Sequence, residues 1–214
     1  MHGLMEIYMG FTKSTQAAAA RAATIAPPDT GKLIALLDDG SAVVRRHAAQ
    51  ALASHPQAAP LLLVRVHTET DHSARGAMLN SLARIGGEDA VAGLARCLHS
   101  EEPALRNGAI EALKTLPEEV PGIIAPLLAD ADADVRIFAV NILESLRHPL
   151  VEDWLLDVVE SDAHVNVCAA AVDLLCEIGT ARAAPALQRL KARFSDEPYI
   201  HFAASFALKR LAGS

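Results

Sequence analysis

The stretch that decides the fold is VRRHAAQAL, residues 44–52, because the chain returns to its pattern five more times. The returns are ARGAMLNSL (74–82), LRNGAIEAL (105–113), VRIFAVNIL (135–143), VCAAAVDLL (167–175) and IHFAASFAL (200–208). Taking Arg45, Arg75, Arg106, Arg136, Cys168 and His201 as anchors, the spacings are 30, 31, 30, 32 and 33 residues. One residue before the anchors stand Val44, Ala74, Leu105, Val135, Val167 and Ile200. Three after stand Ala48, Met78, Ala109, Ala139, Ala171 and Ala204, and seven after stands leucine every time, from Leu52 to Leu208. At 100° per residue these offsets share one face of a helix. Ten after the anchor is apolar in five units (Ile85, Leu116, Leu146, Ile178, Leu211) and His55 in the first.

A second apolar, helix-periodic run precedes each of these: KLIALLDD, APLLLVRVHT, AVAGLARCLHS, PGIIAPLLAD, VEDWLLDVVES and APALQRLKARFS. Turn residues separate the runs, among them Asp39-Gly40-Ser41, Gly86-Gly87, His148-Pro149 and Glu197-Pro198. Each unit of about 30 residues thus reads helix, turn, helix, turn. Such a unit buries its apolar faces only by stacking on its neighbours. The expectation is an all-α solenoid of about six helix pairs over residues 31–214, with second helices near 42–55, 73–85, 103–116, 133–147, 164–178 and 198–212. Residues 1–30 fit no unit. LMEIYMGF (4–11) is apolar, TQAAAARAATIA (15–26) favours helix, and Pro27-Pro28 ends it, so an N-terminal helical cap is expected.

The units resemble the HEAT repeat family, in the short form of phycobilisome-lyase-like repeats. The residues that carry the resemblance are Asp39 with Val44-Arg45 and Ala51-Leu52, and Asp130 with Val135-Arg136 and Ile142-Leu143. Asp162 keeps the offset, but its arginine is replaced by Cys168. The resemblance implies a right-handed α-α superhelix whose second helices line a concave face. It also implies a ladder of hydrogen bonds between repeats, assigned to Asp39, Arg45, Arg75, Arg106, Asp130 and Arg136, with Glu69 as a substitute carboxylate beside Arg75. Tetratricopeptide and ankyrin frameworks are absent.

Composition agrees with packed helices: hydrophobic residues are 51% and aromatics 4%. The net charge of −7 lies in the second half, where residues 108–214 hold sixteen acids against nine bases. From Glu111 to Glu177 fourteen acids face Lys114, Arg136 and Arg147. That field repels a phosphate backbone, so nucleic acid is not expected as a ligand. Cys97, Cys168 and Cys176 form no CxxC pair or disulfide framework, which suits a reduced cytosol, and a cytoplasmic protein is expected. Neither a signal pattern nor a membrane span is apparent.

No catalytic constellation is evident, and the chain is expected to be non-enzymatic, without a cofactor or metal. None of the nine histidines is followed by Glu, which excludes the His-Glu di-iron pattern of the deoxyhypusine hydroxylase branch. His67, Glu69, Asp71 and His72 crowd one turn, and Asp130, Asp132 and Asp134 alternate without the glycine and distal glutamate of a calcium loop. Helix-turn chemistry accounts for both groups. A DNA glycosylase of this architecture would need a basic concave face with aromatics, which these helices do not offer.

The surface that the pattern singles out lies five residues after each anchor: Gln50, Asn80, Glu111, Asn141, Asp173 and Phe206. With Ile137 and Phe202, one residue after their anchors, it forms a polar stripe with exposed apolar residues, suited to a protein or peptide partner carrying basic residues. The first expectation is therefore a scaffold that binds a protein on this stripe. The alternative, which the resemblance implies, is a lyase or chaperone-like protein acting on a tetrapyrrole-bearing partner. Phe202 and Phe206 also fit a homo-oligomer contact through the terminal repeat.

Overall fold

The computed structural model describes residues 29–213; the expected cap over residues 1–30 falls almost wholly outside them. The described residues form twelve α-helices in six pairs and no strand. The first helices of the pairs are α1 (Thr30–Leu36), α3 (Ala59–Val66), α5 (Gly87–Arg96), α7 (Pro121–Leu128), α9 (Val151–Ser161) and α11 (Ala184–Arg193). The second helices are α2 (Ala42–Leu52), α4 (His72–Ile85), α6 (Pro103–Lys114), α8 (Ala133–Leu143), α10 (Val165–Ile178) and α12 (Pro198–Leu211). Each helix packs on its pair-mate, and each second helix on the next second helix. The chain is an all-α solenoid.

The local sequence explains where helices begin. Asp29, Asp71 and Asp132 cap α1, α4 and α8 by accepting hydrogen bonds from Gly31, Ala74 and Asp134 backbone N–H groups. Proline opens α3, α6, α7, α11 and α12, where its missing N–H leaves no bond unmade. Gly86 and Gly87 have φ of 63° and 77°, so the sharp turn from α4 into α5 rests on residues without a Cβ. Three second helices stop short of the periodic pattern; α6 ends at Lys114, two residues before Leu116. α2 ends at Leu52 because His55 precedes Pro56 and leaves the helical region, and α8 ends at Leu143 in a turn before Pro149.

The core follows the repeat offsets. Leu52, Leu82, Leu113, Leu143 and Leu175 are fully buried, as are Met78, Ala109, Ala139, Ala171 and Ala204; Leu208 is half-buried. Each such leucine contributes about 2 kcal/mol of transfer free energy. Small residues let the layers close: a Cβ built on Gly108 would stand 2.5 Å from Leu79 Cδ1. The pattern loosens at Ile178, which is exposed.

Candidate functional site

Two sets of polar residues recur with the repeat, one at the junctions between units and one on the exposed face of the second helices. At the junctions each anchor arginine donates to the carbonyl six residues before it. Arg45 Nη1 reaches Asp39 O at 2.8 Å, Arg106 Nη1 reaches Ser100 O at 2.6 Å and Arg136 Nη1 reaches Asp130 O at 2.8 Å. Arg75 Nη2 does the same to Glu69 O. The other edge of the guanidinium turns to a carboxylate of the next unit. Arg45 holds Glu69 at two points, both 2.7 Å, and Arg136 holds Asp162 at 2.7 and 3.1 Å. Arg75 takes Glu102, since Ser100 occupies the usual carboxylate offset.

Asp39 and Asp130 thus meet their own arginines through backbone carbonyls. The Asp39 carboxylate accepts from Ser41 N–H, and that of Asp130 accepts from Asp132 N–H and from His99 Nε2, which lies 3.0 Å away. Arg106 faces the Phe138 ring, 5.8 Å from its centroid, in place of a carboxylate.

These contacts set the ionisation of the ladder. The hydrogen bond from Arg45 lowers Glu69 to about 2, against the opposing effect of burial. Asp162 is also lowered: burial opposes its ionisation, but hydrogen bonds from Arg136 and the His164 N–H outweigh it. The crowded turn at 67–72 is thereby accounted for. Glu69 serves Arg45, Asp71 caps α4, and His67 Nε2 lies 3.9 Å from Cys97 Sγ.

At the fifth unit, where Cys168 stands in the arginine column, Cys168 Sγ faces Asp162 O at 3.3 Å. Arg193, from the end of α11, supplies the missing guanidinium. Its Nη2 lies 2.9 Å from both Asp162 O and Val159 O and 3.2 Å from Cys168 Sγ, while its Nη1 reaches Glu160 O. Sequence reasoning missed Arg193 because it lies 25 residues beyond Cys168, outside the offset that defines the column. It missed Glu102 because that residue is two places from the expected position.

On the exposed face, Gln50, Asn80, Glu111, Asn141 and Asp173 are all exposed on consecutive stacked helices. Two hollows interrupt the row. One is lined by Gln50, Asn80, Arg84 and Thr115; the other, of ≈ 220 Å³, by Asn141, Glu144, Asp173 and Glu177 over Val140, Ala170 and Leu174. Lys114 ties α6 to α8 through Glu144 at 3.2 Å and lies 3.7 Å from Glu111. Tyr199 Oη donates to Asp173 at 3.0 Å, and the Asp173 carboxylate pushes the phenol above its usual value.

Phe202 and Phe206 are 69% and 55% exposed, with ring centroids 6.4 Å apart and planes 12° from parallel. Ile137 is not exposed as expected; it is half-buried against the core. Arg46, at the same offset, reaches Ser73 Oγ on the next second helix at 3.4 Å. Phe202 shares the offset on the last described helix and stays open.

The chain belongs to the HEAT repeat family, whose model matches residues 30–114 and 120–209. It is 32% identical over 161 residues to bilin biosynthesis protein PecE of Mastigocladus laminosus. That match covers 72% of this chain and 59% of the relative, so the chain spans about three fifths of the curated protein it matches. Among solved structures, the complex of CpcE and CpcF of phycocyanin lyase from a Nostoc species aligns over 86% of this chain and 94% of the other, at 18% identity and a TM-score of 0.36. An engineered protein aligns over 86% and 97%, at 19% identity and a TM-score of 0.43. The expectation of a non-enzymatic chain is corrected by the match to PecE, a protein named for a biosynthetic role. The correction has a physical reason: a solenoid can serve a reaction by holding its reactants, without a cluster of acids and bases close together in the chain. Among the described residues, no helix is long and apolar enough to cross a membrane.

Proposed function

We propose that this chain acts in bilin attachment, as a HEAT-repeat protein of the lyase type that handles a tetrapyrrole-bearing protein partner. The observation that carries this reading is the 32% identity to bilin biosynthesis protein PecE across 72% of the chain. The surface assigned to the partner is the exposed row of Gln50, Asn80, Glu111, Asn141 and Asp173, continued by Phe202 and Phe206.

The chemistry of the chain fits a holder better than a covalent acceptor. Cys97 and Cys168 are buried, and burial raises both thiols above their usual range. Neither supplies a thiolate to a bilin at the surface, and Cys176 is half-buried. In this reading the thiol that receives or releases the bilin belongs to the partner. What this chain contributes is position: a rigid row of hydrogen-bonding side chains, one or two per unit, on helices locked together by the arginine ladder.

The reading is tested by incubating the full chain with a bilin and the apo subunit of a biliprotein. Covalent attachment is read as visible absorbance that survives denaturation in acid. A rate above that of the two reactants alone is the expected result, and a rate equal to theirs, with no release of bilin from the holo subunit, overturns it.

A further inference from the structure

We infer that the exposed face of α12, formed by Tyr199, Phe202, Phe206 and Lys209 beside Asp173, is a binding site for an open-chain tetrapyrrole. This assignment rests on the functional reading above and gives it a location. The row of outward residues is polar through five units and changes character only here. Where the earlier helices carry Gln50, Asn80, Glu111, Asn141 and Asp173, α12 carries Phe206, and Phe202 stands one turn before it.

Positions 199, 202, 206 and 209 follow one another three and four residues apart, so they form a single stripe, and all four are exposed. Apolar side chains this large usually leave water unless something covers them. The nearly parallel phenylalanine rings offer an apolar surface to a flat conjugated ligand.

The polar groups around the rings match the rest of such a ligand. A bilin carries pyrrole N–H donors along one edge and ionised propionates on another. Asp173 is an acceptor at one border of the stripe, held in place by the Tyr199 hydroxyl at 3.0 Å, and Glu177 lies one turn further along α10 beside the same hollow. Lys209 is a cation at the other border, in the last turn of α12, where a helix C-terminus favours positive charge. An acceptor, two aromatic faces and a cation in sequence select a planar, amphipathic anion over a purely apolar surface.

The test is a titration of the full chain with biliverdin, followed by induced visible circular dichroism. Three variants are compared: Phe202→Ala/Phe206→Ala, Lys209→Glu and, on the first helix α3 outside the row, Val64→Ala, whose side chain is exposed. The altered side chains are exposed, and far-ultraviolet dichroism checks that helicity is kept. The expected result is binding by the wild type and by Val64→Ala. The double variant should bind about tenfold more weakly, and Lys209→Glu several-fold more weakly.

Equal binding by Lys209→Glu and the wild type overturns the site, as does unchanged binding by the double variant. A wild type that gives no induced signal also overturns it, as does a double variant that changes only from dimer to monomer on size exclusion, which would make the stripe a contact between copies. The attachment assay is scored separately. Attachment by a wild type that fails here removes the site and leaves the function standing, whereas failure of attachment removes the function itself.

Discussion

Arg45 and Glu69 are joined at two points, Nε to Oε2 and Nη2 to Oε1, each at 2.7 Å, across the junction of the first and second units. The Glu69 side chain is only 3% exposed, so the pair is a nearly dry tie between repeats. Its carboxylate also accepts the Asp71 backbone N–H at 2.8 Å, which fixes the turn into α4.

Replacing Glu69 by Gln leaves the Arg45 guanidinium facing a neutral amide in a site built for charge. The variant should lose about 2 kcal/mol of stability near neutral pH. The effect depends on pH in a defined sense. Folding lowers Glu69 from 4.5 to about 2, so its contribution is complete above pH 4.5 and is lost as pH falls from there toward 2. Melting curves of the two proteins should therefore converge between pH 4.5 and 2. A constant gap across that range would contradict the assignment.

Arg193 substitutes for the absent anchor arginine at Cys168, so its removal should act locally. Arg193→Ala is expected to destabilise the chain by about 1 kcal/mol, since the lost hydrogen bonds lie in a largely exposed position. Hydrogen exchange should quicken in α11 and α12 and remain unchanged in α2 and α4. Equal quickening throughout would mean that the junction is not held by Arg193.

Two glycines should respond oppositely to alanine. A Cβ at Gly179 would lie 2.4 Å from the Leu175 carbonyl oxygen, a backbone atom that cannot move without disturbing the end of α10. Gly179→Ala should thus cost about 1–3 kcal/mol. Gly76 lies inside α4 with nothing within 4 Å of its Cβ position, and Gly76→Ala should raise stability by about 0.5–1 kcal/mol. Denaturant midpoints of the two variants decide the matter, and a shift of the same sign in both would contradict it.

How much of this could be read beforehand depended on whether the pattern was local. The leucine seven residues after each anchor declares a helix face by spacing alone, and the structure buries Leu52, Leu82, Leu113, Leu143 and Leu175 completely. The outward row was legible for the same reason. The junctions were less so, because their partners come from the next unit: Glu69 belongs to Arg45 by contact and only its carbonyl to Arg75. Arg193 comes from a different helix of a different unit, and no offset announces it. Ile137 looked exposed because a helical wheel of one helix does not show the packing between stacked helices, and it is half-buried against the core. The chemistry was least legible of all. The residues declare no compact catalytic motif, and the non-enzymatic expectation rested on that absence, whereas the resemblance of the repeats already pointed to the lyase-type alternative.

The most direct measurement is bilin attachment to an apo biliprotein subunit, with and without the full chain, read as acid-stable visible absorbance. The account predicts faster attachment with the wild type and a reduced rate when Asn141 and Asp173 are both replaced by Lys in a chain of unchanged helicity. Attachment at the same rate with and without the chain, together with no release from the holo subunit, would contradict it.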